Sequence, residues 1–324
     1  MPTPPGPTQN QVRAVDPVLT GKLTSRVNGS DTYVADRVFP PIYQEGLKSG
    51  TYYQMRTGMR SAGDINIQRA PGTPYEAVGY APGSASFLTH EYGVRVAVEQ
   101  PTSSISQLPR DLQDVATGHS QAIVDIKREE RFNTAFMLTG VWGTTTTLTD
   151  SWNEPAGSPR DNFWTAIEAI ELACGKRPDT CVLGMTAFAD LVRNGDMTGL
   201  IRSSDRRGQL SGEELNEALA VHFGLKRVFV SHAVHNTANV GQPEVPAHIV
   251  ADSCLLCYAG PGGQGDGAEL PGGGHIAATD GGSPTVVDRW YEDGPRTTWV
   301  RAREDRDEVV FDAAAGYLYL NCRA

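Results

Sequence analysis

The 324-residue chain has no apolar run long enough to cross a bilayer, and residues 1–29, rich in Pro, Thr and Gly, lack the basic, apolar and small-residue order of a signal peptide. It also lacks a basic face. Lys and Arg number 28 against 38 Asp and Glu, a formal charge of −10, and the cations gather only in pairs such as Lys127-Arg128 and Arg206-Arg207. A reader of nucleic acid through its phosphates is excluded, and DNA can be only an indirect partner. A disulfide framework is missing too: Cys174, Cys181, Cys254, Cys257 and Cys322 are odd in number and irregularly spaced. In a chain without a secretory route they read as free, mostly buried thiols of a reducing cytosol. What is present is enough for a core, with 39 % hydrophobic and 8 % aromatic residues. The length suits about two domains of roughly 100–200 residues each. The 35 Gly and 21 Pro exceed the roughly 12 % of residues these types usually supply, so much of the chain is loop and extended arm.

Residues 1–48 read as such an arm. Pro2, Pro4, Pro5, Pro7 and Pro17 keep its start extended, and Val27-Asn28-Gly29-Ser30 forms a turn. Val34, Val38, Phe39, Ile42 and Tyr43 are too few to fold alone, so the arm must pack on the body of its own chain or on a neighbour. Strand-like patterns follow at 51–60 and 87–100, clearest where Val94, Val96 and Val98 alternate with Arg95, Ala97 and Glu99. The Gly- and Pro-rich residues 61–86 between them make an extended hairpin whose length points to contact with a partner. A capping box at Ser104-Ile105-Ser106-Gln107 and helical spacing of Leu108, Leu112, Val115, Ala122, Ile126 and Phe136 predict a helix over 105–138. It would be roughly 50 Å long at 1.5 Å per residue, with Gly118 as a kink point.

The middle of the chain is mixed. Helices are expected from Asp161 to a stop at Gly175, over 186–194 and over 213–223, with short strands at 181–183, 228–230 and 249–258. After a glycine-rich loop over 260–282, strands at 286–292, 299–303, 309–311 and 317–320 close the chain, and there is no internal repeat.

No motif establishes a catalytic, cofactor or metal site. Gly260-Pro261-Gly262-Gly263-Gln264-Gly265 matches GxGxxG after a strand, but it runs into Asp266-Gly267 and Pro271-Gly272-Gly273-Gly274 rather than the helix N-terminus that would hold a pyrophosphate. It reads as a surface loop. Gly118-His119-Ser120-Gln121-Ala122 approximates a nucleophile elbow, yet it lies mid-helix instead of on a sharp strand-to-helix turn. Ser120 served by His222, His232, His235 or His248 is the basis of a competing hydrolase reading. Cys254-Leu255-Leu256-Cys257 has CxxC spacing without a second ligand pair, and on a strand its thiols point to opposite faces. Glu304-Asp305 and Asp307-Glu308, interleaved with Arg301, Arg303 and Arg306, read as a solvated or subunit-facing turn.

The order of these elements (an arm, a long hairpin, a long helix, a compact block, a return to strands) resembles the major capsid protein of tailed bacteriophages, the Hong Kong 97-type fold. The resemblance covers nearly the whole chain. It is strongest over 161–200, where a helix ending in Gly175-Lys176-Arg177-Pro178 leads to Thr180-Cys181-Val182-Leu183-Gly184 and the helix 186–194. A second match is Phe223-Gly224-Leu225 running into Val228-Phe229-Val230-Ser231, followed by Ala251-Asp252-Ser253-Cys254-Leu255-Leu256-Cys257-Tyr258. A third is residues 303–320, with Val309-Val310-Phe311 and Ala315-Gly316-Tyr317-Leu318.

The resemblance implies an α+β fold with residues 1–48 as N-terminal arm and 49–100 as an extended loop lying over a neighbouring subunit. Residues 101–155 would be the peripheral domain with its spine helix, 156–292 the axial domain, and 293–324 the peripheral return strands. It implies a non-enzymatic subunit, without cofactor or metal, that self-assembles as pentamers and hexamers into an icosahedral virion shell around double-stranded DNA. An arm and hairpin that cannot bury themselves in one chain gain burial across repeated heterologous contacts, and an acidic wall does not trap the DNA it holds as non-specific cargo. Assembly is expected in the cytoplasm of a bacterial host, with no membrane. A scaffolding protein and a portal are expected partners, and a decoration protein is a further candidate. Some family members weld their shells through a lysine in the extended loop; residues 49–100 contain no Lys, so no cross-link by that route is expected. The chain begins at Met1 with a short arm and no long helical leader, from which a separate scaffolding protein is expected. The alternatives are an encapsulin-like nanocompartment shell, which shares the fold, and a cytosolic serine hydrolase.

Overall fold

A computed structural model of the protein describes residues 32–45, 47–54, 68, 72, 83–99, 112–197, 212–239, 242–260, 272–279 and 285–323. They open with the short helix α1 (Ala35–Val38) and strands β1 (Ile42–Glu45), β2 (Ser49–Gln54), β3 (Gly83–Leu88) and β4 (His90–Glu99). Helix α2 (Leu112–Phe136) and β5 (Thr144–Thr147) lead to α3 (Pro159–Cys174), β6 (Thr180–Gly184), α4 (Met185–Arg193) and α5 (Gly212–Phe223). Strands β7 (Arg227–Ser231), β8 (Val234–Asn236), β9 (Pro246–His248), β10 (Cys254–Cys257), β11 (Gly273–Thr279), β12 (Thr285–Glu292), β13 (Thr297–Val310) and β14 (Gly316–Leu320) complete the chain.

The first sheet is built around β13. One edge of this 14-residue strand pairs with β4; the other pairs with β12 and then with β11, which pairs in turn with β1. Period-two alternation aims Val94, Val96, Val98, Val287, Val300 and Ala302 at Leu112, Ala116 and Val124 of α2. Gly118 sits inside an unbroken helix, and the expected residues 105–111 lie outside the described ones. Trp142 Nε1 donates to Phe136 O at 2.7 Å, satisfying one of the carbonyls that a helix end leaves without a partner. β2 and β3 form the root of the expected hairpin, and Tyr52 and Phe87 pack on Ile276, Val309 and Phe311. Between 55 and 82 only Gln68 and Gly72 are described.

The second sheet runs β5-β14-β10-β6-β7. Cys254 and Leu256 face Phe163, Ile167, Ile170, Leu191 and Phe223 of α3, α4 and α5; Leu255 and Cys257 face Phe39, Phe132, Phe136, Met137 and Trp142. β10 is therefore buried on both sides, which suits its unbroken apolar run.

Three readings of the sequence are corrected here. The strands expected at 299–303 and 309–311 are one strand, because the charges between them are neutralised by other elements. β11 (273–279) lies inside the stretch 260–282 expected as a glycine-rich loop and is a strand because it pairs with β1 and β13; β12 also pairs with β13, whereas β5 and β14 lie in the second sheet. The GYLYL run of β14 is mostly buried and finds its apolar partners beside β10, while β13 needs β11 and β12 to complete its second edge. The strand expected over 249–258 shrinks to 254–257.

Candidate functional site

The charged run at the end of the chain lies in the interior. Successive residues of β13 point to opposite faces, so Glu304, Arg306 and Glu308 meet α1 and α2, while Asp305 and Asp307 meet the hairpin root. Glu304, 2 % exposed, accepts from Arg128 Nη2 and Arg131 Nη2 at 2.5 Å each, and Arg306 Nε lies 3.2 Å away as an ion-pair contact. Arg131 Nε also donates to Glu308 at 2.9 Å. Asp36 of α1 accepts from Arg128 Nη1 at 3.1 Å and from Arg306 Nη2 at 3.2 Å. On the other face Asp305 pairs with Lys48 Nζ at 3.0 Å, and the Leu88 amide donates to Asp307 Oδ2 at 2.9 Å.

Burial alone would raise the Glu304 and Asp36 carboxyls, but the guanidinium groups of Arg128 and Arg306 outweigh it and hold both below the ordinary carboxylate range. Asp125, 3.0 Å from Arg128, goes the other way: burial dominates and pushes it up to about 6. Glu129 is raised by burial against the hydrogen bonds it accepts. Its Oε2 takes the Val34 and Ala35 amides at 3.1 Å each and its Oε1 the Ser231 hydroxyl at 3.0 Å, so a side chain about 95 residues away caps the start of α1. Val34, Ala35, Val38 and Phe39 are at most 1 % exposed as a result. The described part of the arm packs on its own body.

His275 is buried against the rings of Phe39, Phe132 and Phe136. Burial lowers it to about 4, reinforced by Arg306 and opposed by Asp36 and Glu308. The arrangement clamps an arm, a helix and a late strand, three segments remote in sequence.

The sequence motifs fall elsewhere. Ser120 is fully buried and its hydroxyl donates to Thr117 O at 2.9 Å, inside α2. His235 faces Glu130 at 2.9 Å, and His222 lies edge-on to Trp164 and Phe223, so neither is bonded to Ser120. Cys254 and Cys257 take opposite faces of β10, as their spacing implies, with Cys254 Sγ 3.8 Å from Cys181 Sγ. All five cysteines are free and buried. Of the glycine-rich motif only Gly260 is described, at φ 72°, and 261–265 fall outside the described residues. Sequence reasoning missed Asp36, Arg128, Arg131, Glu304 and Arg306. The one available signal was acids and bases alternating with strand period between two apolar strand segments.

Outward-facing apolar side chains gather at the edges of the structure: Leu172 (80 % exposed), Val221 (77 %) and Trp164 on α3 and α5, Leu47 and Leu88 at the hairpin root, Val234 and Val245 on the β8–β9 hairpin. Such positions suit contacts with other chains.

No protein-family model matches the chain, and no curated protein matches it. Solved structures do. A phage-related protein from Bordetella bronchiseptica is similar over 96 % of this chain and 98 % of its own, with a TM-score of 0.72 and 16 % identity. The capsid of an empty GTA particle is similar over 98 % and 95 %, with a TM-score of 0.56 and 14 % identity. The capsid protein of cyanophage P-SCSP1u is similar over 87 % and 86 %, with a TM-score of 0.51 and 13 % identity. The fold is therefore the mixed α and β fold of capsid shell proteins, the Hong Kong 97-type.

Proposed function

We propose that the chain is the major shell subunit of a phage-type icosahedral capsid, assembling in many copies as pentamers and hexamers around double-stranded DNA. The observation that carries this reading is the near end-to-end correspondence with a phage-related protein, 96 % of one chain on 98 % of the other. In this reading 1–48 is the N-terminal arm, 49–100 the extended loop over a neighbour, α2 the spine helix, the first sheet the peripheral domain, and the second sheet with α3, α4 and α5 the axial domain. A scaffolding protein and a portal are the partners in assembly, with a decoration protein as a further one, and the assembled protein resides in the virion after assembly in the host cytoplasm. DNA is cargo without sequence recognition, consistent with the −10 charge. The buried, backbone-bonded Ser120 argues against the hydrolase.

Electron microscopy of the purified chain tests the proposal. Closed shells, rings or tubes are the expected result. A chain that stays monomeric at every concentration, with and without a coexpressed scaffolding protein, refutes it; shells filled with a packaged enzyme instead of DNA select the encapsulin-like alternative.

A further inference from the structure

The chain passes three times between the first sheet with its helix α2 and the second sheet, at 137–143, 258–272 and 311–315. The described parts of all three passages meet in one place. The Gly272 amide donates to Tyr258 O at 2.7 Å, and Gly272 O accepts from the amides of Phe311 and Asp312 at 2.9 and 3.0 Å. The Tyr258 amide donates to Ala315 O at 2.9 Å and the Gly143 amide to Ala313 O at 2.8 Å. Backbone hydrogen bonds thus tie each passage to another.

One side chain fills the middle of this node. Trp142, 4 % exposed, has its indole Nε1 bonded to Phe136 O at the end of α2. Its six-membered ring lies against two glycines, one at the root of each sheet. A Cβ on Gly316, the first residue of β14, would collide with the indole, and one on Gly272, the residue before β11, would lie 3.3 Å from Cζ3. Gly316 is extended, at φ −140°, so the contact and not the backbone demands glycine there. The end of α2, the start of β14 and the start of β11 are therefore spaced by one indole. Close packing transmits a displacement rather than absorbing it. A gap of about 1 Å in a joint roughly 10 Å thick, the spacing of packed layers, allows a tilt of about 6°. Outward apolar side chains lie on both sides of the joint, Leu47 and Leu88 at the hairpin root and Leu172 and Val221 on α3 and α5. Contacts made by one copy are then split between the sheets, and the angle between the sheets enters the rotation from copy to copy. Heterologous contacts close only when that rotation is right and otherwise run on as open tubes.

We propose that Trp142 is a positioning residue that fixes the angle between the two sheets and thereby the curvature and diameter of the shell. The diameter rests on the shell reading and the angle does not, so the two are tested apart. Spin labels are placed on the unassembled chain at Glu99→Cys of β4 and Glu168→Cys of α3, both exposed, the five native thiols being buried. Double electron–electron resonance reads the distance between them. Trp142→Phe loses the bond to Phe136 O, opens a gap beside both glycines and should widen the distance distribution at least about twofold. Gly316→Ala drives a methyl into the indole and should shift the mean; if that variant is insoluble, Trp142→Phe alone decides. Leu191→Ala, a cavity in the core on the opposite face of the second sheet, should lower stability without either effect. The same variants are then assembled and their particles measured by electron microscopy. Trp142→Phe should yield mixed diameters or open tubes where Leu191→Ala gives the parental size. Parental distances in the joint variants overturn the proposal, as do equal changes in Leu191→Ala, or parental diameters in Trp142→Phe shells whose distances have widened. A parent that forms no shells under any condition refutes the shell reading, and the label distances still decide the joint.

Discussion

Removing the Glu304 carboxylate should cost the unassembled chain about 3–5 kcal/mol, the range for breaking a buried ion pair from one side. The carboxylate is itself fully buried and touches Arg128, Arg131 and Arg306, whose side chains are 7 %, 17 % and 1 % exposed. Glu304→Ala leaves these cations to repel one another where water cannot screen them. The magnitude follows from the uncompensated charge rather than from the attraction lost, and that distinction can be measured. Replacing the pair together, Arg128→Met with Glu304→Ala, removes charge of both signs: Arg131 keeps Glu308, Arg306 keeps Asp36, and Asp125, held near 6, can take a proton. The double variant should therefore be at least about 2 kcal/mol more stable than the sum of the two single losses predicts. Urea denaturation of the unassembled protein, followed by tryptophan fluorescence, supplies all four stabilities. A Glu304→Ala variant within about 1 kcal/mol of the parent, or a double variant that merely adds the single losses, refutes the argument.

Other predictions follow from the same interior. His275, lowered to about 4 from 6.5, lets the unfolded chain take the proton first, so its contribution is full above 6.5 and is lost as pH falls toward 4; Asp125, raised from 3.8 to about 6, lets the folded chain take it first and works in the opposite sense between 6 and 4. Each amounts to about 3 kcal/mol, so the parent should be nearly flat over that window with respect to these two groups. Asp125→Asn should reveal a steeper acid loss and His275→Leu an acid gain, read as differences from the parent in denaturation series at each pH; parallel profiles for all three contradict the assignment. Gly184→Ala drives a Cβ to 2.1 Å from Ala251 O and should cost about 3 kcal/mol or leave the chain insoluble, because backbone on both sides must shift; a soluble variant of parental stability runs against it. Assembled shells boiled in denaturant should run as a single band, since 49–100 holds no lysine, and a ladder of covalent oligomers would contradict this.

The sequence makes some of this visible and hides the rest for a physical reason. Periodicity located α2, α3, α4 and α5 to within a few residues where they are described, because each carries its apolar face locally. The opposite facing of Cys254 and Cys257 came from strand geometry alone. The charges of Glu304 and Arg306 were misread because their partners, Arg128 and Asp36, lie more than 170 residues away, and polarity without a known partner resembles solvent exposure. The sheet assignment of β5, β11, β12 and β14 was hidden likewise, since pairing is decided by non-local contacts that no local pattern encodes.

The two-sided pairing of β13 also sets a timetable. β4 is complete at residue 99, but the strand it pairs with begins at residue 297. At the roughly 5–20 residues per second of synthesis, β4 waits about 10–40 s with both edges open. During that interval Glu129 is already made and can seat the arm, yet Arg128 and Arg131 have no Glu304 to neutralise them. The first sheet can therefore close only when the last tenth of the chain leaves the ribosome, and until then the nascent protein is a client for whatever shields strand edges in the cell. Under the proposed shell role every copy carries this vulnerability, and slowing translation across 280–310 should increase aggregation more than the same pause placed after β14.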